Sequence, residues 1–360
     1  MDEYKYLAIV EWSKNYIKDN QLKPDDRFLS ENELCSIHNV SRQTVRQALK
    51  VLETENVIAR VRGSGTFVRS TEVAPVKSTR QNVGVISTYF SDYIFPSIVT
   101  GIEGVLKAAD IGMQLAITHN QVFEETQALQ NMISHGVSGI IVEPSKSALP
   151  NPNMKLYEEI KALNIPLVFF NAKYPWANFP CIAMDDVAAG KLVTDHLFRC
   201  GHEKISAIFA LDDLQGHNRY CGYMKSCEVH CITKAEQNVL WYSTTERSTL
   251  FTMSESRINA MLNNSTAIVC YNDKLAVDLL NHCKKCSIQV PNDISIVGID
   301  DSKLSTICDV HLTTVRHPHQ KLGEAAAEKL IAMMHSGAHD TEDVIFTPGL
   351  IIRDSVKTIR

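Results

Sequence analysis

No run of apolar residues in this chain reaches the roughly 18 that suggest a membrane-crossing helix. The start, MDEYKYLAIVEW, has no long apolar stretch before a small-residue cleavage site, so no export leader is expected. Positive charge is not in excess either. Across 360 residues, 36 Lys and Arg stand against 41 Asp and Glu, a formal net charge of −5. Bulk charge therefore cannot carry binding to nucleic acid, which would need a local basic surface. Signatures of chemistry are scarce. There is no GxSxG elbow. GSG at 63–65 is too short for a nucleotide loop and precedes a strand-like run, not a helix. The CxxC of Cys283 and Cys286 lacks a second ligand pair at zinc spacing, and Cys227, His230 and Cys231 read as ordinary residues of a helix end. The ten cysteines are scattered and read as reduced thiols in a cytoplasm. These absences disfavour an enzyme, an exported transport-binding protein and any cofactor or metal.

What is present is a globular composition, 44% hydrophobic and 21% charged, long enough for two or three domains. Residues 1–69 alternate helical patterns and end in two short strand-like runs. STEVAPVKSTRQ, 70–81, has no hydrophobic period and reads as a linker. From Asn82 onward short apolar strands alternate with helical stretches: NVGVIS, MQLAIT, GIIVEP, PLVFFN, KISAIFA, TAIVCYN and DISIVGID. That alternation indicates parallel sheets with covered faces, and ligands bind at the carboxyl ends of such strands.

In the first part, Ser30 and Glu33 have capping-box spacing ahead of a helix in which Leu34 and Ile37 are expected to face inward. Ser41 is placed to cap the next helix. There Val45, Ala48, Leu49 and Leu52 form the apolar stripe, leaving Arg42, Gln43, Thr44 and Arg46 on other faces of its first turns. Arginine reads guanine, glutamine reads adenine, and hydroxyls such as those of Ser41 and Thr44 reach phosphates. VIARV and TFVRS follow, joined by RGSG, whose glycines suit a tight hairpin tip. Residues 1–69 hold eleven Lys/Arg and ten Asp/Glu, a net charge of +1, and 41–50 contain Arg42, Arg46 and Lys50 with no acid. A solvated helix face explains one such helix alone. The full order, from ENELCSIHNVSRQTVRQALKVLETEN to the glycine-tipped hairpin, points to DNA.

That order resembles the winged helix-turn-helix of the GntR family of bacterial repressors. The resemblance implies that Glu31, Arg42, Gln43, Thr44 and Arg46 meet DNA, with Lys5 near the first helix and Arg62 and Gly63 in the wing. The remainder, 82–360, resembles LacI-type regulators and periplasmic sugar-binding proteins. The matching phrases include DDVAAGKLVTDHLFRCGHEKISAI, NRYCGY, VPNDISIVGIDDS, LTTVRHPHQKLGEAAAEKLI and LIIRDS. The implied fold is α/β throughout the body. Two subdomains, about 82–183 with 319–336 and 184–316 with 340–360, are joined by three crossings, with a ligand between them. The pairing of this head and body resembles the arabinose-responsive repressors of Gram-positive bacteria, through STYFSDYIFPSI, IVEPSKSAL, AIVCYND and DVIFTPGLIIRDS. It implies a homodimer that holds operator double-stranded DNA at arabinose-utilisation genes and is released by L-arabinose. Another pentose, a hexose or a purine remains an alternative effector.

The residues support a sugar on their own terms. Paired donors and acceptors hold vicinal hydroxyls, and an aromatic ring covers an apolar C–H face. The strand-end loops offer Asp92, Tyr93, Phe95, Glu143, Lys146, Asn171, Arg219, Asn272, Asp300 and His317. In the LacI pattern Asn171, Arg219, Asn272, Asp300 and His317 align with ligand-contacting positions, although an amide is more usual at His317. Glu143 matches one with a different residue type. Plainer roles are open for several. Asp273 and Asp301 suit a helix cap or turn, Tyr93 and Phe95 suit a core, and His317 suits a satisfied loop histidine.

Overall fold

Capping chemistry sets the start of two helices in the N-terminal part. The computed structural model describes residues 5–20, 22–54, 57–61, 65–69, 81–90, 93–337 and 340–359. The chain divides into two units, Met1–Thr79 and Arg80–Arg360. The first contains α1 (Lys5–Asp19), β1 (Arg27–Phe28), α2 (Glu31–His38), α3 (Arg42–Thr54), β2 (Ile58–Val61) and β3 (Gly65–Val68). At the start of α2 the Ser30 N–H donates to Glu33 Oε2 at 2.7 Å and the Glu33 N–H donates to Ser30 Oγ, closing the capping box. Asn39 ends α2 in a left-handed conformation, φ 50°, and the Ser41 hydroxyl then accepts the Thr44 N–H. Val45, Ala48, Leu49 and Leu52 are fully buried against Leu34 and, from α1, Ile9, Val10 and Ile17. Ile37 does not face inward; it is 50% exposed. Leu34 is followed on the buried side by half-buried Cys35 and His38, and His38 packs edge-on against Trp12. The stripe therefore runs one residue off the expected spacing.

The hairpin β2–β3 is antiparallel, Arg60 opposite Thr66, and β1 adds a third strand on the far side of β3. At two residues, β1 is too short to leave a pattern in the sequence. The wing-tip residues Arg62 and Gly63 lie outside the described residues, as does the stretch 70–80 expected as a linker.

The second unit begins with β4 (Asn82–Ser87), α4 (Phe95–Ala108), β5 (Gly112–Ile117), α5 (Val122–Ser134), β6 (Gly139–Val142), α6 (Met154–Ala162), β7 (Leu167–Phe170) and β8 (Cys181–Met184). It continues through α7 (Asp186–Arg199), β9 (Ile205–Ala210), α8 (Leu214–Val229), β10 (Val239–Tyr242), α9 (Leu250–Met253), α10 (Glu255–Asn264), β11 (Ala267–Cys270), α11 (Asp273–Lys285) and β12 (Ser295–Val297). The last elements are α12 (Leu304–Ile307), β13 (Thr314–Arg316), α13 (His319–Ser336), β14 (Val344–Phe346) and β15 (Gly349–Ile351). One parallel sheet has the order β14-β8-β7-β6-β4-β5, and a second has β10-β9-β11-β12. Strands buried on both faces explain the unbroken apolar runs, since every residue of β6, β7, β9 and β11 is buried.

Two lobes result, each around its own sheet. Leu322, Ala326 and Leu330 of α13 are buried with Val83, Ile98 and Ile141 in the first. The expected second-lobe segment 340–360 divides instead. β14 pairs with β8 and completes the edge of the first sheet, while β15 pairs antiparallel with β13 in the second lobe. The open edge of β8 offers backbone partners to VIF, so the third crossing falls after Phe346 rather than before residue 340. Helices α7 and α8 meet where neither carries a side chain in the way. A Cβ on Gly190 would stand 2.1 Å from the Arg219 carbonyl, and one on Gly222 would stand 2.1 Å from that of Val187.

Leu49→Ala should lower the stability of the first unit by about 2–5 kcal/mol, the range for opening a cavity at a fully buried leucine. Denaturant unfolding of the full chain, followed separately for Trp12 and Trp241, checks this; the Trp241 transition should stay in place.

Candidate functional site

The carboxyl ends of both sheets face one another across a cavity of about 300 Å3. Its lining comes from loops after eight different strands. The first lobe gives Tyr89, Tyr93 and Phe95 after β4, Asn120 after β5, Glu143 after β6 and Asn171 after β7. The second gives Asp213 and Arg219 after β9, Tyr242, Thr244 and Arg247 at and after β10, Tyr271 and Asn272 after β11 and Asp300 after β12. Such strand-end crevices are where open α/β sheets take ligands.

Arg219 is the centre of the second-lobe wall. It is 2% exposed. Its Nε donates to Asp186 Oδ1 at 2.7 Å, its Nη1 to the Tyr271 carbonyl at 2.7 Å, and its Nη2 to Asp300 Oδ1 at 3.0 Å. The Tyr271 ring lies under the guanidinium, 5.0 Å from its centroid. Burial opposes the charge on Arg219, but Asp300 and Asp186 outweigh it and hold the group protonated well above its usual range. Asp186 is pushed up to about 6 by burial, which Arg219 only partly offsets. Three of the five guanidinium N–H bonds are committed to the protein and two are not.

Asp300 is held from every side. Its backbone has φ 113°, a conformation a side-chain-bearing residue rarely adopts. Tyr93 reaches across from the first lobe, and its hydroxyl donates to Asp300 Oδ2 at 2.5 Å. The His319 Nε2–H donates to the Asp300 carbonyl at 2.6 Å. On the opposite wall, Glu143 accepts the Thr88 N–H at 2.9 Å and Asn171 Nδ2 at 2.7 Å. Burial raises the Glu143 carboxyl against those donors. Asn171 Oδ1 is buried and has no hydrogen-bond partner in the protein. An orphaned acceptor in a cavity wall costs about 1–3 kcal/mol unless a ligand or water donates to it.

Of the residues singled out in the sequence, Tyr93, Phe95, Glu143, Asn171, Arg219, Asn272 and Asp300 come together around this cavity. Asn272 does so while capping α11, its Oδ1 accepting the Leu275 N–H at 3.0 Å. The cap is therefore not Asp273, whose buried carboxylate instead accepts the Ser302 N–H and the Thr314 hydroxyl. Asp301 pairs with Arg353 at 2.6 Å and Arg316 at 3.4 Å. Lys146 and His317 stand outside the lining. Lys146, φ 46°, turns its ammonium toward Asp212 at 3.6 Å. His317 is buried beneath the wall, stacked on His319 with ring centroids 5.1 Å apart. Burial, with His319 and Arg219 nearby, holds its imidazole neutral, well below the usual range. Asp92 lies outside the described residues.

Sequence reasoning missed Tyr89, Asn120, Asp213, Thr244, Arg247 and Tyr271. Tyr271 directly follows AIVC and was within reach of the strand-end argument. Arg247 sits in a 3-10 turn, Thr244–Thr249, with no strand pattern to announce it.

In the first unit, Ser41, Arg42, Gln43 and Arg46 are exposed along the start of α3 and Thr44 is half-buried. Arg46 Nε lies 3.0 Å from Glu31 Oε2, and Arg60 Nη1 lies 3.3 Å from Glu31 Oε1. Glu31 thereby aligns one arginine of the helix and one of the hairpin. Lys5 opens α1, and its side chain lies outside the described ones.

Residues 5–68 match the model of the bacterial regulatory proteins of the gntR family, and residues 194–356 match that of the periplasmic binding protein-like domain. The chain is 41% identical to the arabinose metabolism transcriptional repressor of Geobacillus stearothermophilus, over 99% of this chain and 98% of that one. It is 37% identical to the repressor of the same name from Halalkalibacterium halodurans, over 98% and 96%. The chain belongs to this repressor family. Its fold is that of LacI-type regulators as well. The crystal structure of the transcription regulator CcpA of Lactococcus lactis superposes with a TM-score of 0.68, at 24% identity, over 77% of this chain and 100% of that one. A GntR-type DNA-binding head is thus joined to a sugar-sensing α/β body, in a family of transcriptional repressors rather than enzymes. Among the described residues no helix is long and apolar enough to cross a membrane, and no three His, Cys, Asp or Glu are grouped to hold a metal ion.

The cavity's carboxyls give the repressor a pH signature. Burial, then the neighbouring Asp212, pushes Asp213 up to about 7, although Asn120 and Tyr271 donate to it. The folded state thus holds a proton that the unfolded chain has already lost between the ordinary carboxyl value and pH 7. Stability of the second unit should fall as pH rises through that window. Asp213→Asn should flatten the slope by up to about 1.4 kcal/mol per pH unit. Denaturant midpoints at pH 5, 6 and 7.5 check this; equal slopes in the two proteins would remove Asp213 as its source.

Proposed function

We propose that the body binds L-arabinose in the inter-lobe cavity, and that binding releases a cytoplasmic homodimer from operator DNA. The observation that carries the reading is the cavity wall itself. The residual N–H groups of Arg219 and the orphaned Asn171 Oδ1 present a donor pair and an acceptor. The rings of Tyr89 and Phe95, 5.6 Å apart, offer apolar cover. Sugar hydroxyls donate and accept at once, and pentose C–H faces suit such rings. Full-length identity of 41% to an arabinose metabolism repressor supports the choice of sugar. The effector acts only through different affinity for the two arrangements of the repressor.

Calorimetric titration of the full chain with L-arabinose, D-xylose, D-ribose, D-galactose and a purine tests the effector. Saturable binding of L-arabinose alone is expected. Arg219→Lys, which keeps the charge but loses the planar fork, should weaken it by at least tenfold. Arg219→Ala is the poorer probe, because it strands Asp186 and Asp300 as buried unpaired charges. Binding of another compound in place of L-arabinose would keep the sensor and discard the sugar.

For the head, exposed Arg42 and Gln43 read base edges from the N-terminal turn of α3, with Ser41 and Thr44 on phosphates and Arg62 and Gly63 in the wing. Lys5 and Arg46 add positive charge, Arg46 being aligned by Glu31. Two heads on a two-fold axis call for a near-palindromic operator. Arg42→Ala should cost about 1–3 kcal/mol of operator affinity, measured by fluorescence anisotropy at fixed salt. Unchanged affinity would take Arg42 off the interface.

A further inference from the structure

The loop Ser145–Ala148 follows β6 and leaves the cavity wall after Pro144. Its first residue is anchored within the first lobe. The Ser145 N–H donates to buried Glu125 at 2.6 Å, and the Tyr174 hydroxyl donates to the Ser145 carbonyl at 2.8 Å. The left-handed turn at Lys146 then sends it and the next two residues onto the second lobe. Ser147 Oγ accepts the Leu214 N–H at 2.9 Å, the Ala148 N–H donates to the Asp212 carbonyl at 3.2 Å, and Lys146 Nζ lies 3.6 Å from Asp212 Oδ2.

Leu214 is the first residue of α8, and Asp213 before it makes no side-chain cap. The first N–H groups of a helix have no partner within it. Ser147, from the other lobe, supplies one. Both Ser147 and Asp212 are buried, 3% and 0% exposed, so while the lobes stay closed water does not stand in for a contact removed by substitution. Asp212 also accepts the Thr244 N–H at 2.9 Å and its hydroxyl at 2.8 Å, which fixes a residue of the cavity wall. Five residues beyond Leu214 on the same helix stands Arg219.

We propose that Lys146 and Ser147 form the latch of the sensor. They are positioning residues that hold the lobes closed over an occupied cavity by capping α8 and countering Asp212 across the cleft, without touching the effector. This rests on the reading of the cavity as the sugar site. Opening the lobes breaks these contacts, whereas a sugar entering an open cleft meets none of them. The latch therefore governs dissociation and leaves association alone.

Stopped-flow kinetics of L-arabinose with the full chain test it. Loss of one buried hydrogen bond corresponds to about tenfold. Ser147→Ala is expected to release sugar about tenfold faster at an unchanged association rate, and Lys146→Gln to release it faster as well. Ser147→Thr keeps the hydroxyl and should stay within about twofold of the natural chain, a rescue that a purely packing role would not show. Unchanged dissociation in Ser147→Ala, or equal acceleration in Ser147→Thr, overturns the latch. If the natural chain takes up no sugar, the effector reading fails on its own. Hydrogen exchange at the Leu214 amide then decides: protection lost in Ser147→Ala supports the latch, and equal exchange overturns it.

Discussion

A single buried guanidinium organises the sensor. Arg219 is nearly without solvent and spends three donors on Asp186, the Tyr271 carbonyl and Asp300. Ions taken out of water in this way are tolerated only when paired and hydrogen-bonded, because removing one partner leaves an uncompensated charge. The surrounding sequence serves that requirement. Gly190 and Gly222 bring α7 against α8 closely enough for Asp186, the first residue of α7, to reach the guanidinium on α8. The carboxyl ends of β11 and β12 deliver the Tyr271 carbonyl and Asp300 to the same point.

From Arg219 the network passes to the other lobe through one residue. Asp300 gives one oxygen to the guanidinium and the other to the Tyr93 hydroxyl, which comes from the loop before α4. The Asp300 carbonyl is taken by His319, at the crossing where the chain re-enters the first lobe as α13. Asp300 thus touches the cavity, the facing lobe and a crossing at once, with its backbone held at φ 113°. Strain of that kind persists where surrounding contacts over-determine it. A ligand that changes what Asp300 bonds to changes the balance between lobe arrangements, which is the physical content of a sensor.

Much of this was legible in the sequence because buried parallel strands write themselves as apolar runs. NVGVIS, GIIVEP, PLVFFN and TAIVCYN each mark a strand and, one or two residues on, a cavity residue or its neighbour. Short or edge elements wrote nothing comparable. β1 has two residues, and β13, β14 and β15 have three each, so the crossing after Phe346 was placed too early. Position at a strand end did not fix direction either. Lys146 follows β6 closely, yet its left-handed backbone turns the side chain to Asp212; His317 directly follows β13, yet lies beneath the wall. Ile37 shows the same limit in the head, where a helix of eight residues buries a face one position away from the expected one. Spacing names the residues of a site; the backbone conformation at each strand end decides which of them face it.

Charge in the cavity narrows the kind of molecule it suits. Its wall includes the carboxyl groups of Glu143, Asp213 and Asp300. Of the cations beside them, Arg219 already serves Asp186 and Asp300, Arg247 pairs with Asp278 at 2.5 Å, and Lys274 also lines the wall. An anion entering this space would have to compete for guanidinium groups already engaged with carboxylates, while burial already shifts Glu143 and Asp213 toward their neutral forms. A neutral polyol faces no such penalty. On the sugar reading proposed above, its hydroxyls would donate to Asn171 Oδ1 and accept from the remaining Arg219 N–H groups without adding charge. The pairing of the wall's guanidinium groups with carboxylates thus fits the neutral sugar proposed as effector.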